Sequence, residues 1–186
     1  IPGTWNGGRT DADGFSSAYH YLTPLFVNSS VSQFADYAPF QPIGSACLPN
    51  CNFNNIGTFF RYDETEAGST GPNHFEKWKD VTSLNRGEGY AAHIRDLAGA
   101  STVMDFQGTY NHGAPFVANV TNSGVAGFPG FNLIGTGLPF PIDWDQIVLN
   151  GNLTNVDNAI HFWDGASLQY ASYVNNISIN GGSNLI

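Results

Sequence analysis

The chain has 186 residues, a length typical of one domain. A chain of this size can bury about 70% of its unfolded surface, so it needs no metal or dense disulfide framework to fold. Its 15 acidic residues outnumber its 6 basic ones, and the net charge of -9 repels nucleic-acid phosphates and anionic lipids. We therefore expect neither a nucleic-acid partner nor a membrane-surface role, and no apolar run is long enough to span a bilayer.

The start of the chain favours a piece of a secreted protein. Ile1 and Pro2 open it without an initiator methionine or a signal-peptide pattern. We therefore expect a mature or excised segment of a larger protein. The scarcity of Lys, together with abundant Asn, Ser, Thr and Gly, favours an extracellular or cell-surface location.

Asp11 and Asp13, in the run TDADGF, are spaced like half of a calcium loop. A complete loop needs a third oxygen ligand and a distal bidentate Glu, and neither follows at the required spacing. A turn held by the Asp side chains is therefore favoured, with calcium as the alternative.

Short apolar or alternating runs separated by turn residues predict strands along the whole chain. The predicted strands are residues 19–27, 58–63, 89–94, 102–109, 116–121, 131–135, 159–164 and 169–174. Strands at this spacing predict a single all-β domain over residues 1–186, a β-sandwich or jelly roll. No helix is predicted, because glycines interrupt the best amphipathic window, residues 81–100.

Cys47 and Cys51 lie in the run CLPNC, within a predicted loop over residues 41–55. The spacing suits a small surface disulfide in an oxidising compartment, which would stabilise the fold by about 2 kcal/mol. A free pair is the alternative. A metal site is disfavoured, since there is no second Cys pair to complete it.

The order of predicted strands and turns is loosely repeated in two halves, about residues 14–110 and 116–186. This repetition predicts that the two halves are duplicates of one unit. The first half ends in a final strand that contains glycines, whereas the second half stops where its corresponding strand is expected. A sheet that lacks a strand exposes an unpaired edge. We therefore expect the last strand either to lie beyond Ile186 or to be supplied by another chain through strand addition.

The run GFNLIGTGLPFPIDWD, residues 130–145, resembles a recurring module of large surface proteins that Bacteroidota export by type IX secretion. Further matches to that family's pattern are residues 21–25, 86–90, 158–164, 170–174 and 181–184. The resemblance spans residues 14–186 and is strongest from 130 to 184. It differs at Thr136, Gly137 and Leu138, where family members carry Asn-Pro-Tyr, and it lacks their closing strand. The resemblance implies a secreted β-module with no assigned chemistry.

Asp143 and Asp145 end this run and are the best candidates for a pair of working carboxylates. On a strand their Cβ atoms would be about 7 Å apart, and glycosidase carboxyls lie about 5 to 10 Å apart. Any Asp-x-Asp meets that distance. We therefore favour a structural role, in which the acids accept backbone N–H bonds in a turn and Trp144 packs inside.

The other candidate residues are aromatic or imidazole side chains. The five histidines, His20, His74, His93, His112 and His161, form no metal-ligand pair, and no nucleophile elbow is present. Trp5 and Trp78 lie outside the family pattern and are candidates for stacking on a glycan. Trp144 and Trp163 belong to that pattern, which predicts that they are core residues. Asn-x-Ser/Thr sequons occur at Asn28, Asn119, Asn152 and Asn176 and matter only in a eukaryotic source.

These patterns together predict a non-enzymatic, extracellular structural or adhesive module. A sharper version is a filament or surface-layer subunit that associates with itself or with other surface proteins by strand addition. A carbohydrate-binding module that takes a polysaccharide is the alternative, and a glycoside hydrolase is a more distant one.

Overall fold

Antiparallel strands dominate the computed structural model, which describes residues 9–10, 16–34, 59–66, 78–95, 107–112, 115–125, 129–164, 167 and 169–185. One short α-helix and one 3₁₀ turn are the other regular elements of this part of the chain. The predicted all-β fold class is confirmed, and its sandwich or jelly-roll arrangement stays a prediction. None of the described helices is long and apolar enough to cross a membrane.

The regular elements are β1 (Arg9–Thr10), β2 (Ser16–Leu22), β3 (Ser29–Ser30), η1 (Val31–Phe34), β4 (Phe59–Tyr62), β5 (Trp78–Asp80), β6 (Ser83–Leu84), β7 (Tyr90–Arg95), α1 (Trp144–Leu149), β8 (Ala159–Asp164), β9 (Gln169–Val174) and β10 (Ile177–Ile179). They fall into two compact units that divide between Leu138 and Pro139. The predicted duplication stays a prediction.

The first unit is built on an antiparallel five-stranded sheet in the order β1-β2-β7-β4-β5. Phe59 of β4 and Tyr90 and Ala92 of β7 lie on one face of this sheet. They form the buried cluster together with Val31 of η1 and Leu84 of β6. The hydroxyl of Tyr90 donates to Glu88 and accepts from the Asn85 N–H at 2.7 Å. Burial, followed by the hydrogen bond and charge of Glu88, raises the pKa of Tyr90.

Two glycine-rich segments contact each other in this unit. Gly89 donates its N–H to the Leu133 carbonyl at 3.1 Å, and Gly135 donates to Gly87 at 3.3 Å. A Cβ on Gly135 would lie 2.7 Å from the Glu88 carbonyl oxygen and would also collide with the Thr23 side chain. Because Gly89 and Gly135 have no side chains, residues 133–135 can pack directly on the turn that precedes β7. The strand predicted over residues 131–135 is wrong, because only an isolated bridge between Glu88 and Ile134 forms.

The second unit contains α1 and an antiparallel three-stranded sheet in the order β10-β9-β8. Asn175 and Asn176, with φ of 48° and 66°, form the two-residue turn between β9 and β10. Asn180 and Gly181, with φ of 52° and 82°, reverse the chain again, and Gly182 donates its N–H to the Ile179 carbonyl at 3.1 Å. Asn and Gly tolerate positive φ, as such hairpin turns require.

The strand predictions are confirmed where an aromatic-rich run has a strand partner, and they fail where a short apolar run has none. Residues 159–164 and 169–174 are strands as predicted, and β4 and β7 match their predictions to within one residue at each end. Residues 116–121 and 107–109 form no strand, while 102–106 lie outside the described residues. The predictions do not include β1, β3, η1, β5, β6, α1 or β10.

We expect Gly182→Ala to destabilise the fold by about 1–3 kcal/mol, because the added methyl would collide with the Ser172 carbonyl and lie 2.8 Å from its nitrogen. Gly181→Asn is the matched control: no atom lies within 4 Å of its Cβ position, and Asn tolerates positive φ, so it should cost about 1 kcal/mol or less. Chemical denaturation measures both. Equal stability of the two variants would contradict the close contact.

Candidate functional site

The predicted acid pair lies at the start of α1. Asp143 is the N-cap residue, and its Oδ1 accepts hydrogen bonds from the backbone N–H of Asp145 at 3.0 Å and of Gln146 at 3.4 Å. An N-cap carboxylate satisfies N–H groups that have no partner within the helix and favours the positive end of its dipole. The backbone acceptor role predicted for Asp143 is thus present, with a helix in place of the predicted turn.

Asp145 is held from the other side by the C-terminal turn and by β9. The Asn184 side-chain amide donates to Asp145 Oδ2 at 3.0 Å and to Asp143 Oδ1 at 3.3 Å, so one amide contacts both acids. The Tyr173 hydroxyl lies 3.0 Å from each oxygen of Asp145. Burial, then the hydrogen bond from Tyr173 to Asp145 and the charges of both acids, raises the pKa of Tyr173. Tyr173 is therefore a neutral donor at this site.

Trp144, between the two acids, is 4% exposed and is a core residue as predicted. Its ring Nε1 donates to Asn158 Oδ1 at 2.8 Å, and its backbone N–H donates to the Asn184 carbonyl, also at 2.8 Å. The segment therefore connects α1 both to the residue before β8 and to the C-terminal turn. These contacts agree with the structural role predicted for the acids. The sequence alone does not indicate their partners Asn184 and Tyr173.

A second, buried carboxylate organises the first unit. Glu64 is 2% exposed, and its side chain accepts from the Ser123 N–H and hydroxyl, both at 2.9 Å, and from the Gly130 N–H at 3.4 Å. Burial opposes ionisation, but hydrogen bonds from Thr121, Ser123 and Gly130 together outweigh it and lower the pKa of Glu64. Glu64 thus anchors Ser123 and Gly130 as an ionised acceptor. Its position directly after the predicted strand 58–63 gives no sign of this role.

The described histidines lie on different segments of the chain. Burial lowers the pKa of His20, on β2, to about 4, so this imidazole is neutral at physiological pH. His112 is exposed, and the exposed His161 has its Nδ1 2.7 Å from the Ser172 hydroxyl. Within the described ranges no three His, Cys, Asp or Glu side chains could together hold a metal ion.

Trp78 belongs to a cluster of three aromatic rings on the five-stranded sheet. Its ring stacks on Tyr21 with centroids 6.3 Å apart and meets Tyr62 edge-on at 5.2 Å. Trp78 and Tyr62 are half-buried, whereas Tyr21 is exposed. Because Trp78 packs on two other rings, less of its surface is open to a ligand, and glycan stacking by this residue stays a prediction.

The sheet of the second unit exposes a surface that we call the aromatic face. By strand register it comprises Ala159, His161, Trp163, Tyr170, Ser172, Val174, Ile177 and Ile179. Trp163 is 42% exposed, which overturns the prediction that it is a core residue. The opposite face carries the buried Ile160 and Ala171. Aromatic residues occur on both faces of β8, and only the packing decides which of them is buried.

Several other predicted sites fall on the rest of the chain. Trp5, Asp11, Asp13, Cys47, Cys51 and His74 lie outside the described residues, as does the side chain of His93. The four sequon residues, Asn28, Asn119, Asn152 and Asn176, are all exposed. Glycosylation at these residues requires a eukaryotic source.

Comparison with protein-family models, with curated proteins and with solved structures finds no match to this chain.

We expect Asp143→Ala to destabilise the fold by about 1–2 kcal/mol, because two N–H groups of α1 and the Asn184 amide lose their shared acceptor. Asp143→Asn is the matched control, since Asn is an equally good N-cap, and it should cost only a few tenths of a kcal/mol. Thermal unfolding of both variants measures the difference. Wild-type stability of Asp143→Ala would contradict the capping role.

The Glu64 network predicts an acid-dependent loss of stability. A carboxyl whose pKa is lowered by folding stabilises the fold fully above its unfolded-state value, 4.5, and this contribution is lost as the pH falls through the lowered folded-state value. The stability difference between wild type and Glu64→Gln should therefore shrink as the pH falls below 4.5. Denaturation from pH 7 to pH 2 measures it.

The control is Glu66→Gln, which removes an exposed carboxylate two residues away, paired with Lys79 at 3.2 Å. A surface ion pair contributes little, so this variant should stay close to wild type. A Glu64→Gln difference that does not change with pH would show that the carboxylate is not an ionised anchor.

Proposed function

We propose that the chain is a non-enzymatic structural or adhesive module of a secreted cell-surface protein, and that it adheres through the aromatic face. The observation that carries the proposal is the exposure of Trp163, Tyr170, Ile177 and Ile179 on one side of one sheet. Large apolar side chains exposed together on a sheet mark interaction surfaces. The secretion route rests on the family resemblance of residues 130–184.

The distribution of charge supports an adhesive contact. The chain carries a net charge of -9, yet the aromatic face has no Asp, Glu, Lys or Arg among its residues. Charged side chains are depleted at the centres of protein interfaces, where aromatic residues are enriched. The face therefore has the composition of a contact surface in an otherwise acidic chain.

The contacts of the acid pair favour this function over hydrolysis. Asp143 accepts from α1, and both acids accept from Asn184. A glycosidase needs one carboxyl as a proton donor and the other as a base or nucleophile, and both must reach the substrate. Here the acids face donors that belong to the fold.

Strand addition is a second route to assembly. Among the described strands, β8 and β10 are the edge strands of the second sheet. An edge strand can accept a strand from another chain through backbone hydrogen bonds. This route would build a filament or surface layer without using the aromatic face.

Bead retention under flow tests the adhesive function. Beads that carry the chain through an N-terminal biotin are washed over a hydroxyethyl cellulose film, a gelatin film, a layer of the same chain and albumin-blocked glass. We expect retention above the glass background on at least one of the first three surfaces. The double variant Trp163→Ala/Tyr170→Ala should lose it, because it removes the two rings of the aromatic face.

Phe140→Ala is the control, since Phe140 is exposed in the same unit but does not lie on the sheet. Background retention on all three surfaces would contradict the adhesive function. Retention that the double substitution leaves unchanged would contradict the role of the aromatic face. On the layer of the same chain, that result would favour strand addition.

A further inference from the structure

We infer that the aromatic face is a binding site for a neutral polysaccharide, an inference that rests on the proposed adhesive function. Trp163 and Tyr170 are directly opposite each other on β8 and β9, and their ring centroids are 5.3 Å apart at an interplanar angle of 69°. They are 42% and 52% exposed. The pair therefore presents two ring surfaces at an angle, onto which the C–H groups of a sugar can pack.

Hydrogen-bonding groups lie next to the ring pair. His161 and Ser172 are the next residues of the aromatic face along β8 and β9, and His161 Nδ1 is 2.7 Å from the Ser172 hydroxyl. Among the residues that the structure describes, the Trp163 Nε1–H and the Tyr170 hydroxyl have no hydrogen-bond partner. Aromatic surface beside a few polar groups is the composition of sites that bind small organic ligands. It matches a sugar, which is apolar on its ring faces and polar at its hydroxyls.

The size of the face disfavours a second copy of the chain as the occupant. Two strands of six residues and one of three, about 4.8 Å apart, span only about 200–300 Å², whereas a stable interface buries about 800 Å² on each partner. A short stretch of polysaccharide needs far less area. Repetition of the contact along a polymer, or across many modules, then raises the overall avidity.

The negative charge of the chain favours neutral polysaccharides over acidic ones. The face itself has no Lys or Arg to pair with an acidic sugar, and the chain carries a net charge of -9. A polyanion would be repelled by the chain and would find no Lys or Arg on the face to offset this repulsion. A neutral polymer encounters no such barrier.

The three-ring cluster at Trp78 is a weaker candidate for the same ligand. There the Trp78 ring packs on Tyr21 and Tyr62, and only Tyr21 is exposed. The sequence favours Trp78 as a glycan-stacking candidate because it lies outside the family pattern. The exposed ring pair of Trp163 and Tyr170 instead lies within that pattern.

Native affinity electrophoresis tests the inference. The purified chain is run through gels that contain hydroxyethyl cellulose, laminarin, galactomannan or arabinoxylan, with carboxymethyl cellulose as the anionic counterpart of the first. We expect at least one neutral polymer to retard the chain, and carboxymethyl cellulose to retard it less than hydroxyethyl cellulose does if hydroxyethyl cellulose is bound. Trp163→Ala/Tyr170→Ala should weaken the association about fivefold or more.

Two further variants separate binding from folding. Trp163→Phe/Tyr170→Phe keeps two rings on the face and should retain most of the retardation, while Phe140→Ala should match wild type. Failure of all four neutral polymers to retard the chain, or equal retardation of the double alanine variant with an unchanged circular dichroism spectrum, overturns the inference. If beads are nonetheless retained on gelatin or on the chain itself, the adhesive function stands and only the polysaccharide assignment fails.

Discussion

The second unit depends on one side-chain amide, that of Asn184, which donates to both Asp143 and Asp145. The chain reverses at Asn180 and Gly181 and then passes so close to β9 that only glycine fits at position 182. The Asn184 amide and carbonyl then join this turn to the start of α1. The buried side of the sheet is thereby connected to the helix through Tyr173, and the aromatic face is left to solvent.

Carboxylates serve the same purpose in both units. Glu64 in the first unit and the Asp143–Asp145 pair in the second accept hydrogen bonds from backbone N–H groups and side-chain donors in segments without strand pairing. Irregular segments leave backbone donors that a ladder would otherwise satisfy. An ionised carboxylate makes stronger hydrogen bonds than a neutral acceptor. The acidic composition therefore has a structural use in this fold, besides its effect on partners.

Short runs rich in aromatic and β-branched residues, bounded by turn residues, allowed β8 and β9 to be predicted to the residue. The sequence also carried two unused signals. Asp143 followed by Gln146 three residues later is a capping-box pattern, and Asn180-Gly181 is a strong hairpin-turn signal. The roles of Asn184 and Glu64 depend on contacts with distant segments. Trp163 is exposed because the opposite face of the sheet packs inside. The local sequence of β8 does not determine which of its two faces is buried.

Hydroxyl-radical footprinting of the native chain, read by mass spectrometry at single residues, tests most directly whether the aromatic face is open while the acid-pair segment is packed inside. The oxidation rates of Trp163 and Tyr170 should approach those of exposed model side chains, and those of Trp144 and Tyr90 should be many-fold lower, in line with their 4% and 1% exposure. Protection of Trp163 to the level of Trp144 in the monomer would contradict the account.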